Sequence, residues 1–242
     1  MMDRPQAEFA ELEVDLDNLR RLNRYFGSYR LIRKFLRAWL NPGRPFRILD
    51  LATGGGDIPR MIVEWARQRD IAVRIEAVEF QPATLKIARR QSADFPEIEF
   101  VEADIREFES PLTYDIVLCS LALHHFSEAD AVRVLRRARS LSHDRVLVSD
   151  LERHPLTTWC LWLVTATLFR QAMTKHDARL SAKRAFSFEE FGELAVRAEW
   201  DSFVHRRFLP ARQAIWTSVR EAQPESESLC DNAAPIDALP EL

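Results

Sequence analysis

The sequence predicts an α/β protein: a doubly wound, mostly parallel sheet with helices on both faces. Three observations predict it. From residue 45 to residue 152, short apolar runs alternate with helical patterns, as they do where helices carry the crossovers of a parallel sheet. The first, fourth and fifth runs, "FRILDLA", "YDIVLCSLAL" and "DRVLVSDLE", are apolar nearly throughout, as strands covered on both faces should be. Finally, a glycine turn, "ATGGGDIP", follows the first run and opens the first helix, the place where open sheets of this kind bind ligands.

The elements follow in order. Leu12, Leu16, Leu19, Leu22, Phe26, Tyr29, Ile32, Leu36 and Leu40 recur at three- and four-residue steps, so residues 8–40 read as helix, broken at Gly27-Ser28 and ended by "NPGRP". Residues 1–44 are thus a helical cap. "FRILDLA" leads into a helix over "IPRMIVEWARQR", and "VRIEAVEF" into one over "QPATLKIARRQSAD". "IEFVEAD" has only a short connection to "YDIVLCSLAL", which leads into the helix "SEADAVRVLRRARSL". Residues 155–186 break the rhythm with the apolar run "LTTWCLWLVTATLF" and a polar helical stretch, and read as an insertion covering a substrate. Ser187 with Glu190 three residues on predicts a capped helix over "SFEEFGELAVRAEW". Two last strand-like runs, "SFVHRRFLP" and "RQAIWTSVR", predict a hairpin adding antiparallel pairing at one edge of the sheet. The main domain therefore spans 45–222. The tail 223–242 carries five acids, no bases and three prolines, a composition that predicts disorder.

Composition narrows the class. At 242 residues, with 47% hydrophobic and 29% charged residues and a net charge of −3, the chain is ordinary for a globular protein and lacks the basic balance of a nucleic-acid binder. Its local basic clusters have helical spacing and read as solvated helix faces. Cys119, Cys160 and Cys230 are widely spaced and odd in number, which argues against a disulfide framework and against a zinc site. No apolar leader opens the chain, and the run 156–169 is shorter than the ~20 residues of a spanning helix, so a cytoplasmic protein without a transmembrane segment is expected.

What the glycine turn binds is decided by its neighbours. A triphosphate loop needs a lysine, and here Asp57, Ile58, Pro59 and Arg60 follow Gly56. A dinucleotide turn needs a small residue where Pro59 stands, and Asp57 would place negative charge against a pyrophosphate at the helix N-terminus. The same charge suits a ligand bearing an ammonium group, although Asp57 also reads as the N-cap of the helix. Glu79 ends the second strand, 25 residues beyond Gly54, where a carboxylate accepts from ribose hydroxyls. Asp104 ends the third strand-like run, "FVEAD", where it can accept from an exocyclic amine on a base. Each acid alone reads as well as a solvated strand end. Three successive strand ends suited to one adenosine ligand are a stronger coincidence.

On these residues the sequence resembles the class I S-adenosylmethionine-dependent methyltransferases, and within them the ubiquinone/menaquinone-biosynthesis type. "ILDLATGGGD" resembles the first motif of that group, "VEFQPATLKIARR" the second, "EFVEADIREF" the third, and "YDIVLCSLALHHF" the fourth strand and its loop. Ala52 stands where many members carry a glycine, and "LSHDR" where many have a glycine turn, which predicts a different turn before the fifth strand. The resemblance implies a Rossmann-like, mostly parallel seven-stranded sheet with an antiparallel last strand, and S-adenosyl-L-methionine as cofactor. It implies that Asp50, Ala52, Thr53, Gly54, Gly56 and Asp57 surround the methionine end. Glu79 would hold the ribose. Phe80 and Ile105 would pack on the adenine, with Asp104 on its amine, and Ser120 and Leu121 would lie near the sulfonium.

The acceptor is less legible. Nitrogen methyltransferases acting on amides or adenine carry [ND]-P-P-[YF] after the fourth strand, and this chain reads "CSLALHH" there. His125 and His124 follow that strand and are candidate bases, since imidazole takes protons near neutral pH. His176 is a third candidate, from the insertion. Either of the paired histidines can equally pack or cap the next helix. The aromatic run 156–169 suggests an aromatic or apolar small-molecule acceptor, with O-methylation of a phenolic or polyketide-like hydroxyl expected first and C-methylation of an enol or quinol next. A binding or regulatory protein that keeps the fold without catalysis is the reading from another class.

Overall fold

The computed structural model describes residues 9–154 and 172–219. The apolar run 156–169 and the tail 223–242 lie outside the described residues. Two helices, α1 (Phe9–Tyr25) and α2 (Ser28–Trp39), precede the sheet. Then come β1 (Phe46–Leu51), α3 (Asp57–Arg67), β2 (Val73–Glu79), α4 (Pro82–Gln91), β3 (Ile98–Glu102) and β4 (Tyr114–Ser120). A short 3-10 turn (Leu123–His125) leads to α5 (Glu128–Leu141) and β5 (Ser142–Leu151). The chain closes with α6 (Ala172–Arg184), α7 (Phe188–Arg197), β6 (Val204–Phe208) and β7 (Arg212–Ser218).

The seven strands form one sheet in the order β3-β2-β1-β4-β5-β7-β6. All pairs from β3 through β5 are parallel, and β7 runs antiparallel to both of its neighbours. The closing hairpin therefore reverses one strand only: β7 enters between β5 and β6, and β6 becomes the edge. Strand order reverses direction between β1 and β4, which opens a crevice at their carboxyl ends.

Each face of the sheet has its own core. On one, the apolar stripe of α2 (Ile32, Phe35, Leu36) meets Met61, Ile62 and Trp65 of α3 and Ile48 and Trp216 of the sheet. Phe35 lies edge-on to Trp216 at 4.8 Å between centroids, a favourable aromatic geometry. On the other, Leu135 of α5 and Phe191 and Leu194 of α7 cover Val117, Val146 and Ile215. Ser187 caps α7 with a reciprocal pair: its hydroxyl accepts from the Glu190 N–H, and Glu190 accepts from the Ser187 N–H.

At "LSHDR" the predicted turn is absent. Helix α5 ends at Leu141 and β5 begins at Ser142 with no loop between them. The pairing of β4 with β5 absorbs the junction as an irregularity between Tyr114 and Ile116. His143 Nε2 lies 3.3 Å from Asp115 Oδ1 and holds the first residues of β5 beside β4. No helix among the described residues is long and apolar enough to cross a membrane.

Candidate active site

A cavity of about 520 Å³ opens at the crevice between β1 and β4. Its floor is made of strand ends: Ala52, Thr53 and Gly54 after β1, Glu79 and Phe80 after β2, Asp104 and Ile105 after β3, Ser120 and Leu121 after β4. Leu19, Leu22 and Asn23 of α1, Phe26 just beyond it, and Asp177, Ala178 and Ser181 of α6 cover it. The two covering helices are tied together: the Asn18 amide donates to Thr174 Oγ1 at 3.0 Å, and the Thr174 hydroxyl donates to the buried Asp15 at 2.6 Å.

The turn after β1 is stitched to β2. The Thr53 N–H donates to the Val78 carbonyl at 2.9 Å, and the Gly54 N–H to Glu79 Oε2 at 2.9 Å. Glu79 Oε1 accepts from the Gln81 N–H at 2.9 Å, so both carboxylate oxygens are anchored. Gly54 has φ 56°, and a side chain there would meet nothing within 4 Å. Gly56 has φ 70°, but a methyl there would lie 2.9 Å from Phe100 Cζ. One glycine leaves room in the cavity and the other leaves room for the core. Ala52 and Leu121, the residues just past β1 and β4, both have φ 58°, a left-handed backbone that costs a non-glycine residue about 1–2 kcal/mol. Both line the cavity, and such strain concentrates at functional sites.

Asp57 is the first residue of α3 rather than its cap, which is Gly56. The reason is where its carboxylate goes: Oδ2 accepts from Asn23 Nδ2 at 3.1 Å and from the Tyr29 hydroxyl at 3.0 Å, on α1 and α2. Asp104 is gripped by Arg106, whose Nε lies 3.0 Å from each carboxylate oxygen and whose backbone N–H donates to Oδ1 at 2.9 Å. That guanidinium holds the Asp104 carboxyl below its ordinary value. Asp50 is buried behind the turn and does not line the cavity, and neither does Gly56. Burial pushes the Asp50 carboxyl up to about 7, with Thr53 opposing and the charges of Asp57 and Glu79 adding.

The paired histidines differ sharply. His124 is buried, lines the cavity, and has Nδ1 2.6 Å from Asp150 Oδ1. Asp150 also accepts from the His124 and Leu151 backbone N–H groups, at 3.0 and 2.7 Å. Burial alone would raise the Asp150 carboxyl, but His124 and these N–H groups outweigh it and hold it below its ordinary value. His125 is exposed at the cavity edge, its ring 4.2 Å from that of His124. His176 is exposed on another face of α6 and is not brought to the cavity.

Four partners escaped the sequence reading. Asp150 carried a signal, since it is an acid at a strand end like Glu79. Arg106, Tyr29 and Arg212 carried none: only packing brings Arg212 to the cavity and the Tyr29 hydroxyl to Asp57, and nothing in the spacing says that Arg106 folds back on Asp104.

Comparison with known proteins bears on the fold and the family. Residues 48–144 match the family model described as a methyltransferase domain. The chain is 32% identical over 122 residues to a demethylmenaquinone methyltransferase of Thermus thermophilus, covering 50% of this chain and 53% of that protein. It is 32% identical over 79 residues to a 2-phytyl-1,4-naphtoquinone methyltransferase of Thermosynechococcus vestitus, covering 33% and 34%. The chain thus spans about half the length, or less, of these relatives. Among solved structures, human N-acetylserotonin methyltransferase in complex with SAM superposes with a TM-score of 0.63 at 15% identity, over 86% of this chain and 56% of that one. At that identity the likeness concerns the fold.

Proposed function

We infer that this chain is a class I S-adenosylmethionine-dependent methyltransferase related to the quinone methyltransferases, and that its cavity binds S-adenosylmethionine beside a small-molecule acceptor and transfers the methyl group. The observation that carries the reading is the contact of Glu79 with the Gly54 N–H, which fixes a carboxylate and an open glycine side by side at adjacent strand ends.

The residues present fit this cofactor. The space at Gly54 is a cradle that a Cβ would fill. Phe80 is 64% exposed and offers a ring face to a purine, with the buried Ile105 beside it. Asp57 and Glu79 put negative charge along the turn after β1, which suits an ammonium and repels a pyrophosphate. We assign Ala52, Thr53, Gly54 and Asp57 to the methionine end, Glu79 to the ribose, Phe80, Asp104 and Ile105 to the adenine, and Ser120 and Leu121 to the wall near the sulfonium. When bound, the cofactor supplies a methyl group on a positively charged sulfur.

On the acceptor side, His124 is the general base of this reading. Asp150 is ionised and can only accept, so His124 Nδ1–H donates to it, and in the neutral form of the ring the lone pair is the one on Nε2. That nitrogen would take the hydroxyl proton, and the acceptor oxygen would receive the methyl group while sulfur keeps the electron pair of the broken carbon–sulfur bond. The orienting carboxylate shifts the role from His125, favoured by position in the sequence, to its buried neighbour. His125 stays at the cavity edge, where it can position the acceptor. His176 has no part in this reading.

We assign O-methylation of a phenolic or polyketide-like hydroxyl first. C-methylation of a quinol is the second reading, favoured by the names of the two sequence relatives. Calorimetry with S-adenosylhomocysteine and with NADH tests the cofactor. Binding of NADH alone would overturn the reading. Turnover with methyl-labelled cofactor then separates a methyl ether from a carbon-bound methyl by NMR, and binding without turnover on phenols and quinols would favour the non-catalytic alternative.

A further inference from the structure

We propose that Arg212 is the acceptor-recognition residue of this cavity, and that it takes the carboxylate of an otherwise apolar acceptor. The proposal deepens the methyltransferase reading and rests on it.

Arg212 opens β7 and pairs in register with Leu151, the last residue of β5. That position places it at the carboxyl end of the parallel strands, beside Asp150 and hence beside the His124 pair. It lines the cavity, yet only 6% of the residue is exposed. Its Nε–H donates to the Phe26 carbonyl at 3.3 Å, while Nη1 is buried and finds no hydrogen-bond partner among the described residues. A buried cation with an unmade hydrogen bond is costly, and it persists where something completes it.

Among the described residues nothing completes it. Asp150 is the carboxylate that supports the Arg212 charge, but its oxygens already accept from the His124 ring, the His124 N–H and the Leu151 N–H. Burial pushes the guanidinium down to about 10, so it stays charged at neutral pH. Beside it lie Phe26, whose carbonyl it meets, and Leu151, its register partner, and the apolar Leu22 and Leu180 line the same cavity. A single buried guanidinium among apolar walls selects a ligand by one anionic group, and its planar fork matches a carboxylate. The acceptor this describes has an apolar body, a carboxylate for Arg212, and a separate hydroxyl for His124. Arg184 also lines the cavity, but it is exposed on α6 and marks the entrance.

The test is calorimetry on the full chain loaded with S-adenosylhomocysteine, titrated with 1-hydroxy-2-naphthoate and with its neutral analogue 1-hydroxy-2-naphthamide. The acid is expected to bind about 10-fold tighter, in line with a charge-assisted pair in a dry site. In Arg212→Met the preference should fall to near unity, in Arg212→Lys it should return in part, and in Arg184→Ala it should persist. Equal affinities in the unsubstituted protein, no binding of either naphthalene, retention of the preference in Arg212→Met, or its loss in Arg184→Ala would each overturn the proposal. The ratio in the unsubstituted protein decides even where Arg212→Met does not fold. Absence of S-adenosylhomocysteine binding strikes the methyltransferase reading instead, and the loading step detects it first.

Discussion

His124 and Asp150 form a buried pair across the ends of β4 and β5, with Nδ1 and Oδ1 2.6 Å apart and the His124 N–H on the other carboxylate oxygen. The two strands are neighbours only in the folded sheet, so the pair is a product of topology. Asp150→Asn replaces an acceptor-only group by one that must turn a donor toward the ring or the backbone. Turnover is expected to fall by about 10²-fold or more, the range of a lost general base, while affinity for S-adenosylhomocysteine stays within about twofold. Steady-state kinetics with parallel calorimetry checks this, and unchanged turnover would remove the pair from the mechanism.

Gly54 and Gly56 share a left-handed backbone and differ in what a side chain would meet. At Gly54 a methyl enters open cavity, so Gly54→Ala should cost about 1 kcal/mol of stability from strain, and about 10-fold or more in S-adenosylhomocysteine affinity. At Gly56 it strikes the Phe100 ring, so Gly56→Ala should cost roughly 2–4 kcal/mol from strain and overpacking together. Urea unfolding and calorimetry on both variants would show the two losses falling on different axes. Equal affinity losses at equal stability would mean that the division is wrong.

Arg106 occupies the carboxylate that an adenine amine would need. The pair is well formed but lies at the surface, with Arg106 38% exposed, so breaking it costs at most about 1 kcal/mol. Removing the competitor in Arg106→Ala should therefore tighten S-adenosylhomocysteine binding by up to about fivefold, whereas Asp104→Asn should weaken it. Weaker binding in Arg106→Ala would instead assign the guanidinium to the ligand.

The strand-end floor of this cavity was legible in the sequence because its residues follow strand-like runs. Gly54, Glu79 and Asp104 are fixed by strand periodicity, and parallel strands bring their carboxyl ends to one rim. The same logic extends to Asp150, which ends the apolar part of "VLVSD". Arg212 obeys no such rule. It begins a strand that runs against the others, and only that reversal brings its amino end to the rim where the parallel strands finish. Tyr29 sits on the apolar stripe of α2 and reads as core, and its hydroxyl meets Asp57 because α1 and α2 fold over the turn. Long-range side-chain partners of this kind are set by packing, which periodicity does not encode.

Asp50 sits behind the same turn and gives the fold its own pH dependence. Its carboxyl ionises near 7 in the folded protein against an ordinary value of 3.8, with burial the main cause, and Oδ2 has no partner among the described residues. Between those two values the folded state holds the proton more tightly than the unfolded chain. The contribution to stability is therefore full below about 3.8 and is lost as pH rises through 7, a cost of roughly 4 kcal/mol by pH 8. Asp50→Asn is neutral at every pH and escapes the cost. Its stability relative to the unsubstituted protein should rise from pH 4.5 to pH 8, by about 2–4 kcal/mol in urea unfolding. A difference that stays flat with pH would place the Asp50 ionisation outside this window. The charge also lies beneath the end of the cavity assigned to an ammonium. Asp50→Asn should bind S-adenosylhomocysteine as the unsubstituted protein does at pH 5 and up to about 10-fold more weakly at pH 8, where only the aspartate is ionised.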